Sequence, residues 1–381
     1  MRVALLTYST RARGGVVHTL ALAEALADRG AAVTVHAIGR GGDTAFFRPV
    51  RPDVEVRLAP LPDVDGEGVG ARVLRSIDAL AASVDRRRYD VVHAQDCISA
   101  NAVPGVVRTV HHIDRFTTPE LARCHERALV TPTAHVCVSA AVAAELRQGW
   151  GIGATVIPNG VDADRFAAAA SDDDPRAGAA RQRWRQRLGP GPIVLAVGGI
   201  EPRKGTVHLP GALRRLADAG LPARLVIAGG ETLFDYRDYR AAFDRACAEH
   251  GVEPLVLGPV AHDELPALVA TADVFAFPSV KEGFGLAALE ALAAGVPTVM
   301  SDLPVLREVF DGAVRFAPQP LDPAGLAATL AAALSDSGHD HAEEGRAAGR
   351  ALAHAHRWDT AAQAHLALYE RLLRRAPAVA G

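Results

Sequence analysis

The feature that most constrains the fold is a repeated alternation of short apolar runs with longer Ala- and Leu-rich stretches. In the first half the runs are RVALLTY, AVTVHAI, DVVHA, VVRTVHH and HVCVS, and in the second half they are PIVLAVGG, ARLVIAGG, PLVLGPV, DVFAFPS and PTVMS. Such runs are typical of parallel strands buried on both faces, and stretches such as HTLALAEALADRG between them have helical spacing. Two such series predict an α/β chain with two Rossmann-like, doubly wound parallel sheets.

A polar, Arg-rich interval from Asp172 to Pro192 separates the two series. Its composition is that of a linker with a short helix. We therefore predict an N-terminal domain at residues 1–170 and a C-terminal domain at residues 171–357. The last helical stretch, RWDTAAQAHLALYERLLRR, is amphipathic and needs an apolar surface to pack on.

Charge and cysteine usage exclude several classes of protein. A net charge of -3 provides no general attraction to nucleic acid. The chain opens MRVALLTYST without a charged and apolar leader, and no apolar run approaches the roughly 18 residues of a spanning helix. We therefore expect a cytoplasmic protein with no transmembrane segment and with reduced thiols, because no CxxC spacing joins its cysteines, Cys97, Cys124, Cys137 and Cys247.

Parallel sheets bind ligands at the carboxyl ends of their strands, so candidate site residues follow each strand. After RVALLTY comes STRARGG, where Gly14 and Gly15 let the backbone approach an anion at a helix start, or simply form a turn. The run VVRTVHH ends in His111 and His112, which point to opposite faces because they are neighbours on a strand. One of them is expected in the site and the other in a structural role. The absence of GxGxxG counts against a dehydrogenase.

Lysine is nearly absent from this chain. Its only two lysines are Lys204 and Lys281, and every other basic residue except histidine is arginine. The motif LAVGGIEPRKG places Arg203 and Lys204 between a strand end and a helix start, where both cations and helix N–H groups favour a bound phosphate. Because a compact ammonium is not equivalent to a planar guanidinium, this lysine predicts a functional charge rather than a solvated surface turn.

Two glutamates frame the start of a helix in KEGFGLAALEALAAG. Glu282 lies in the loop and Glu290 in a helix that begins near Gly285, so the rise between Gly285 and Glu290 alone is about 7 to 8 Å. With the loop added, the separation exceeds the roughly 5 to 9.5 Å of paired glycosidase acids. The spacing favours two contacts on one extended ligand, with an anion at the free N–H groups of Gly285 and Leu286. A sugar nucleotide has this arrangement of charge and hydroxyl groups.

The motifs EGFGLAALEALAAGVP, IPNGVDADRF and HDELPALVATADVFAFPS together resemble the retaining glycosyltransferases of family 4, over nearly the whole chain. The resemblance implies the GT-B fold, in which two Rossmann-like domains face each other across a cleft and the final helix, residues 358–381 here, crosses back to the N-terminal domain. It implies retaining transfer of a hexose-type sugar from a nucleotide diphosphate sugar, with UDP favoured, to a small-molecule acceptor. No metal or other cofactor is expected.

The same resemblance implies roles for individual residues. Glu290 would bind the donor ribose, Glu282 a hydroxyl of the transferred sugar, and Lys204 the departing diphosphate. His111 matches the histidine that faces the sugar, and Gly15 matches the loop that touches donor phosphate and acceptor. We therefore expect catalytic roles for His111, Lys204 and Glu282, and donor contacts from Gly14, Gly15, Arg203, Lys204, Gly283, Phe284, Gly285, Leu286 and Glu290.

One departure from the family pattern leaves alternatives open. Members usually carry arginine five residues before the lysine, where this chain has Gly199. Arg203 is a candidate for the missing charge, and weaker leaving-group stabilisation is the alternative. A GT-B nucleotide-sugar epimerase, or a degenerate nucleotide-sugar-binding protein with little turnover, are the rival functions. The triplets Asp63/Asp65 and Asp162/Asp164 are attributed to chance or capping rather than to a metal site.

The sequence leaves the substrates open in several respects. Loops at residues 9–15, 63–70 and 112–118 are expected to shape the acceptor pocket, but no motif in them names a molecule. The sugar and base of the donor, transfer to oxygen or to nitrogen, and the oligomeric state are also undetermined.

Overall fold

The computed structural model describes residues 1–114, 116, 118–230, 236–335 and 340–375. It divides into two compact units. Unit 1 comprises Met1–Gly160 together with Trp358–Gly381, and unit 2 comprises Val161–Arg357. Each unit is an α/β sandwich built around one parallel sheet.

The sheet of unit 1 has seven strands in the order β3-β2-β1-β4-β5-β6-β7, all parallel. The order reverses between β1 and β4, and such a switch point is where parallel α/β sheets bind ligands. The strands are β1 (Arg2–Thr7), β2 (Ala32–Arg40), β3 (Glu55–Leu61), β4 (Val91–Ala94), β5 (Val107–Val110), β6 (Ala134–Cys137) and β7 (Thr155–Val156). The helices are α1 (Gly14–Asp28), α2 (Val69–Ser83), α3 (Cys97–Ala102), α4 (Pro119–Val130), α5 (Ala140–Trp150) and α15 (Trp358–Arg375).

Helices α1 and α15 share one apolar core with the sheet of unit 1. Leu5 of β1, Leu20 of α1 and Tyr369 of α15 are all fully buried in it. Arg29, just past α1, reinforces the contact through an ion pair of 2.7 Å with Asp359 of α15. The last helix of the chain is therefore an integral part of the core of unit 1.

The sheet of unit 2 has six parallel strands in the order β10-β9-β8-β11-β12-β13, with its switch point between β8 and β11. The strands are β8 (Ile193–Val197), β9 (Arg224–Ala228), β10 (Leu255–Gly258), β11 (Val274–Phe277), β12 (Thr298–Ser301) and β13 (Arg315–Ala317). The helices are α6 (Ala163–Ala170), α7 (Pro175–Leu188), α8 (Leu209–Asp218), α9 (Arg237–His250), α10 (Leu265–Ala270), α11 (Leu286–Ala293), α12 (Pro304–Phe310), α13 (Pro323–Ser335) and α14 (Asp340–Ala355). Two short 3-10 turns, Pro202–Lys204 and Thr206–His208, lie between β8 and α8.

Every strand that the apolar runs predict is present, and the two-sheet α/β class is confirmed. Three strands lack a continuous apolar run in the sequence. Edge strand β3 is only partly buried, and β7 and β13 contain only two and three residues. The helix predicted for residues 358–381 is α15, and residues 376–381 lie outside the described part of the chain.

The interval from Asp172 to Pro192 contains a longer helix than its composition indicates. Helix α7 has 14 residues, and it buries Trp184 and Leu188. Both α6 and α7 pack against α10, so they belong to unit 2. Unit 1 accordingly ends at Gly160 rather than at residue 170.

Within the described ranges, no helix combines the length and apolar character that crossing a bilayer requires.

Candidate active site

Two loops of unit 2 lie in close backbone contact at the switch point, one after β8 and the other after β11. The amide N–H groups of Val280 and Lys281 donate to the carbonyl oxygen of Arg203 at 2.9 and 3.3 Å. Gly205 has φ +61°, and a Cβ atom there would lie 2.0 Å from the carbonyl oxygen of Pro278. Only glycine permits this approach, so the two loops form one structural unit.

Four charged side chains meet where these loops join, and we call Glu201, Arg203, Lys204 and Glu282 the strand-end charge cluster. Lys204 Nζ lies 2.8 Å from Glu282 Oε2. Arg203 Nη1 lies 3.3 Å from both carboxylate oxygens of Glu282, while its Nη2 lies 2.9 Å from Glu201 Oε1. The side chains of Lys204, Glu282 and Glu201 are only 15%, 11% and 9% exposed. The cluster therefore holds two cations and two carboxylates with little solvent around them.

Lys204 lies beside a small pocket at the carboxyl ends of β8 and β11. Burial lowers the pKa of its ammonium group, and the carboxylate of Glu282 opposes this shift. The ammonium also lies 4.7 Å from the ring centroid of Phe277, within cation–π range. The other residues that line the pocket are Ala196, Val197, Gly198, Gly199, Thr206, Ala276, Phe277, Pro278 and Ser279.

Helix α11 follows this site directly and begins where the sequence predicts. Its N-cap is Gly285, with φ 109°. A Cβ atom there would lie 2.9 Å from the ring of Phe310, so glycine is required for both conformation and space. The first N–H groups of a helix lack acceptors within it, and those that follow Gly285, starting with Leu286, therefore attract an anion.

Glu290 lies on α11, five residues after the N-cap Gly285, and its side chain is partly buried. Burial raises the pKa of its carboxyl group to about 7, and the nearby Asp162 adds to the rise while Arg165 opposes it. The group is therefore close to half ionised at neutral pH, and it is electrostatically different from the ion-paired Glu282.

Between Glu282 and Gly285, one buried side chain and one backbone hydrogen bond hold the loop in place. Phe284 is only 3% exposed, and its ring packs against His356 at a centroid distance of 5.7 Å. The N–H group of Gly283 donates to Glu282 Oε1 at 3.3 Å. Phe284 therefore anchors the loop in the protein interior.

In unit 1 the predicted residues lie around the start of α1. Gly14 is its first residue, and a Cβ atom on Gly15 would lie 3.7 Å from the ring of His111. Burial lowers the pKa of His111 to about 3, so its imidazole is neutral. His112 instead pairs with Asp114 at 2.8 Å. Of the two adjacent histidines, His111 is the one that faces the glycine loop.

His111 belongs to a group that sequence patterns do not reveal, the histidine cluster of His18, His93, His111 and His365, in which His111 is partly buried and the other three are buried. His18 contacts His111 at a centroid distance of 4.8 Å, and His93 contacts His365 at 5.5 Å. Burial lowers the pKa of His18 and His93 well below 6.5 and that of His365 to about 4. Four neutral imidazoles therefore line the core beneath the glycine loop.

Fixed hydrogen bonds hold these imidazoles. His18 Nδ1 lies 2.9 Å from Asn159 Oδ1, and His365 Nδ1 donates to its own helix at the Ala361 carbonyl, 2.8 Å away. His93 lies between the hydroxyl groups of Tyr369 at 2.6 Å and Thr109 at 2.8 Å. Among the residues that the structure describes, Nε2 of His18, His111 and His365 has no hydrogen-bond partner. A proton added at any of these three Nε2 atoms would therefore meet no hydrogen-bond acceptor among the described residues.

The predicted site residues thus form one group in each unit. Gly14, Gly15 and His111 meet in unit 1. The second group gathers at the carboxyl ends of β8 and β11 and on α11 in unit 2, and it comprises Arg203, Lys204, Glu282, Gly283, Phe284, Gly285, Leu286 and Glu290. Sequence reasoning missed Glu201, which reveals its role only through its contact with Arg203.

The two Asp-x-Asp triplets have local partners. Asp63 pairs with Arg40 at 2.9 Å, Asp162 caps α6 by accepting from the N–H group of Arg165, and Asp164 lies 3.7 Å from His354. In the described part of the chain, no group of three or more His, Cys, Asp or Glu residues has the geometry to hold a metal ion.

Two Rossmann-like units, each built on one parallel sheet, place this chain in the GT-B fold class. Residues 180–351 match the family model described as glycosyl transferases group 1, and residues 12–165 match the one described as glycosyltransferase family 4. The chain belongs to glycosyltransferase family 4.

Known proteins agree with this assignment. A D-inositol 3-phosphate glycosyltransferase of Xylanimonas cellulosilytica is 30% identical over 96% of this chain and 93% of its own length. A GDP-mannose-dependent alpha-(1-6)-phosphatidylinositol monomannoside mannosyltransferase of Mycobacterium tuberculosis is 40% identical over 38% of this chain and 36% of its own length. In fold, the chain matches sucrose-phosphate synthase from Thermosynechococcus elongatus with a TM-score of 0.78 at 21% identity, over 98% of this chain and 100% of that structure.

Proposed function

We propose that this glycosyltransferase moves a hexose-type sugar from a nucleotide diphosphate sugar to a small-molecule acceptor, with retention of configuration and without a metal ion. The observation that carries the proposal is the strand-end charge cluster beside the N-terminus of α11. Lys204 is a buried cation at the switch point of a parallel sheet, which is where such sheets bind ligands.

The chemistry follows from the charges that develop during transfer. Cleavage of the anomeric bond builds negative charge on the diphosphate and positive charge on the sugar. A cation and helix N–H groups that are already in place stabilise the departing diphosphate, because they need no reorganisation. In this proposal Lys204 and the start of α11 supply that stabilisation, and Glu282 and Glu290 bind the sugar and the ribose.

Retention is proposed to occur by front-face transfer. Glu282 is engaged by Lys204 and Arg203 at 2.8 and 3.3 Å, which disfavours its use as a nucleophile. The departing phosphate then helps to accept the proton of the acceptor hydroxyl. An inverted product in the proton NMR spectrum, or a trapped glycosyl-enzyme in the mass spectrum, would contradict this mechanism.

The donor is proposed to be a UDP-sugar, as is most frequent in the family that the motifs resemble. A GDP-sugar is the competing choice, because one of the relatives is named as GDP-mannose-dependent. The name of another relative includes an inositol phosphate, which supports a small polar acceptor. All four cysteines are free thiols, which supports a reducing, cytoplasmic location.

A thermal-shift screen against UDP- and GDP-sugars tests the donor site. We expect one of them to raise the melting temperature of the wild type, and Glu290→Ala to lose that shift. Glu249→Ala removes an exposed glutamate from α9 and serves as the control that keeps it. If no nucleotide sugar stabilises the wild type, the proposed function fails. Activity that persists in a strong chelator would support metal independence.

Gly199 lines the pocket beside Lys204, where family members usually carry arginine. The absence of that charge favours a second candidate function, a binding protein with little turnover. Such a protein would bind the donor but release no nucleotide diphosphate with any acceptor. A GT-B epimerase would convert the donor without an acceptor, so product analysis with donor alone separates it from both.

A further inference from the structure

Arg203 joins the two loops of the unit 2 site by two independent means. Its carbonyl oxygen accepts from the N–H groups of Val280 and Lys281, which orders the loop after β11. Its guanidinium bridges Glu201 and Glu282 with different nitrogens. A planar guanidinium can bind two carboxylates at once, whereas an ammonium acts as a point charge. Arg203 therefore links the position of Glu282 both to Glu201 and to the backbone of the loop after β11.

Glu282 has two cationic partners in this arrangement, Arg203 and Lys204. Lys204 cannot pair fully with Glu282 and with a phosphate at the same time. The proposed function requires the Lys204 ammonium to neutralise the donor diphosphate, yet its Nζ lies 2.8 Å from Glu282 Oε2. Removing one partner from a buried ion pair leaves the other uncompensated, which is costly. Glu282 therefore needs a second cation if Lys204 is to turn toward a phosphate.

We propose that Arg203 is a positioning residue that retains Glu282 while the donor diphosphate draws Lys204 away. This inference rests on the proposed function. The chain lacks the arginine that family members usually carry at the position of Gly199. In this inference Lys204 leaves Glu282 for the diphosphate, Arg203 keeps Glu282 in place, and Arg203 makes no phosphate contact of its own.

The geometry suits such an exchange. Arg203 Nη1 is 3.3 Å from each oxygen of Glu282, so either oxygen can become the main acceptor as Lys204 leaves. Its Nη2 stays fixed by Glu201, whose side chain is only 9% exposed. The desolvated Lys204 ammonium has an anion beside it in both states, first Glu282 and then the diphosphate.

A double-mutant cycle on Arg203 and Glu282, measured by calorimetric titration with UDP and GDP, tests the exchange. We expect Arg203→Gln to weaken diphosphate binding by about ten-fold, because Glu282 then loses one cationic partner and holds Lys204 more tightly. Adding Glu282→Gln frees Lys204 and should bring the affinity back to within about three-fold of the wild type. Glu282→Gln alone should bind the diphosphate at least as tightly as the wild type.

If Arg203 contacts the phosphate directly, its loss weakens binding whether or not Glu282 is present, so the double variant would bind about ten-fold more weakly than Glu282→Gln alone. That outcome would overturn the inference and leave the proposed function standing. A wild type that binds neither UDP nor GDP would overturn both. Arg240→Gln, which removes an exposed arginine paired with Asp244 on α9, is the matched control and should bind normally.

If Arg203→Gln does not fold, a second variant, Glu201→Gln, tests the same inference. Glu201→Gln leaves the guanidinium in place but weakens its anchor, and we expect diphosphate binding to weaken by about three-fold. Addition of Glu282→Gln should again remove the defect. A Glu201→Gln protein that binds as the wild type would contradict the anchoring role. Melting temperatures of all variants confirm that folded proteins are compared.

Discussion

The strand ends of the two units differ in charge although their sheets share one architecture. In unit 2, Glu201, Arg203, Lys204 and Glu282 form ion pairs with one another at 2.8 to 3.3 Å. In unit 1, four imidazoles are kept neutral by burial instead. The sheets provide equivalent switch points, and the side chains decide what chemistry each can support. Under the proposed function, the paired charges of unit 2 stabilise the charge that develops during transfer.

The largest effect is expected when the cation is removed from unit 2. Lys204→Ala should lower kcat/KM for the donor by about 100- to 1,000-fold, because a preorganised charge beside the leaving diphosphate is lost. Release of nucleotide diphosphate measures it. Lys204→Arg tests whether the compact ammonium itself is needed, and Arg240→Ala is the control. A loss of only a few-fold in Lys204→Ala would place leaving-group stabilisation elsewhere.

The next effect concerns the contact between the two loops that assemble the charge cluster. Gly205→Ala should lower the free energy of unfolding by about 3 kcal/mol, because the new Cβ meets the Pro278 carbonyl and the residue has φ +61°. Gly220→Ala is a matched control, since Gly220 has φ +79° but no atom within 4 Å of the new Cβ. That variant should lose only about 1 kcal/mol. Equal losses in urea unfolding would show that the close approach contributes nothing.

Acid should destabilise unit 1 more than unit 2. A histidine whose pKa is lowered by folding binds fewer protons folded than unfolded, so stability is lost as pH falls from about 6.5 toward 4. For His365, whose pKa burial lowers to about 4, the loss between pH 7 and pH 5 should be about 2 kcal/mol, and His18 and His93 should add to it in the same direction. Hydrogen exchange at each pH, corrected for the intrinsic exchange rates, shows which unit loses stability.

The variant His365→Gln checks the origin of this acid sensitivity. It removes one titrating group, so the loss of stability between pH 7 and pH 5 should shrink by about 2 kcal/mol. Equal acid sensitivity of the two units, or an unchanged loss in the variant, would contradict the role of the histidine cluster.

The smallest effect concerns Glu290, whose carboxyl pKa burial raises to about 7. With a pKa of about 7, Glu290 should be mostly protonated at pH 6 and mostly ionised at pH 8. If the ionised form binds the ribose, donor affinity should rise about ten-fold between these values. Glu290→Gln should bind more weakly and show a flat profile in calorimetric titration. A persisting slope in this variant would assign the titration to another group.

Local patterns predict much of the fold and part of the site. The ten apolar runs are strands, and α11 begins after Gly285, as the sequence predicts. Both features are predictable because strand burial and helix initiation leave their signal in residues that are close together in the sequence. Short edge strands such as β7 carry too few residues to produce a pattern. The strand-end positions of Lys204 and Glu282 are predictable, because parallel strands present their carboxyl ends at one edge.

Contacts between residues far apart in sequence are not predictable in this way. The pairing of Lys204 with Glu282 spans 78 positions, and that of His93 with Tyr369 spans 276. Such contacts depend on strand order and on the packing of α15, and neither is encoded in local spacing. Glu201 was missed because an isolated glutamate before a proline carries no signal until its arginine partner is located.

The place of α15 has a consequence for the order in which the protein is made. Unit 2 is one continuous stretch of chain, whereas unit 1 needs Trp358, His365 and Tyr369 from a helix that the ribosome delivers after all of unit 2. Because synthesis proceeds from the N-terminus, the first 160 residues emerge without part of their core. Unit 2 can therefore reach its native state first, and unit 1 completes its core only after α15 has left the ribosome.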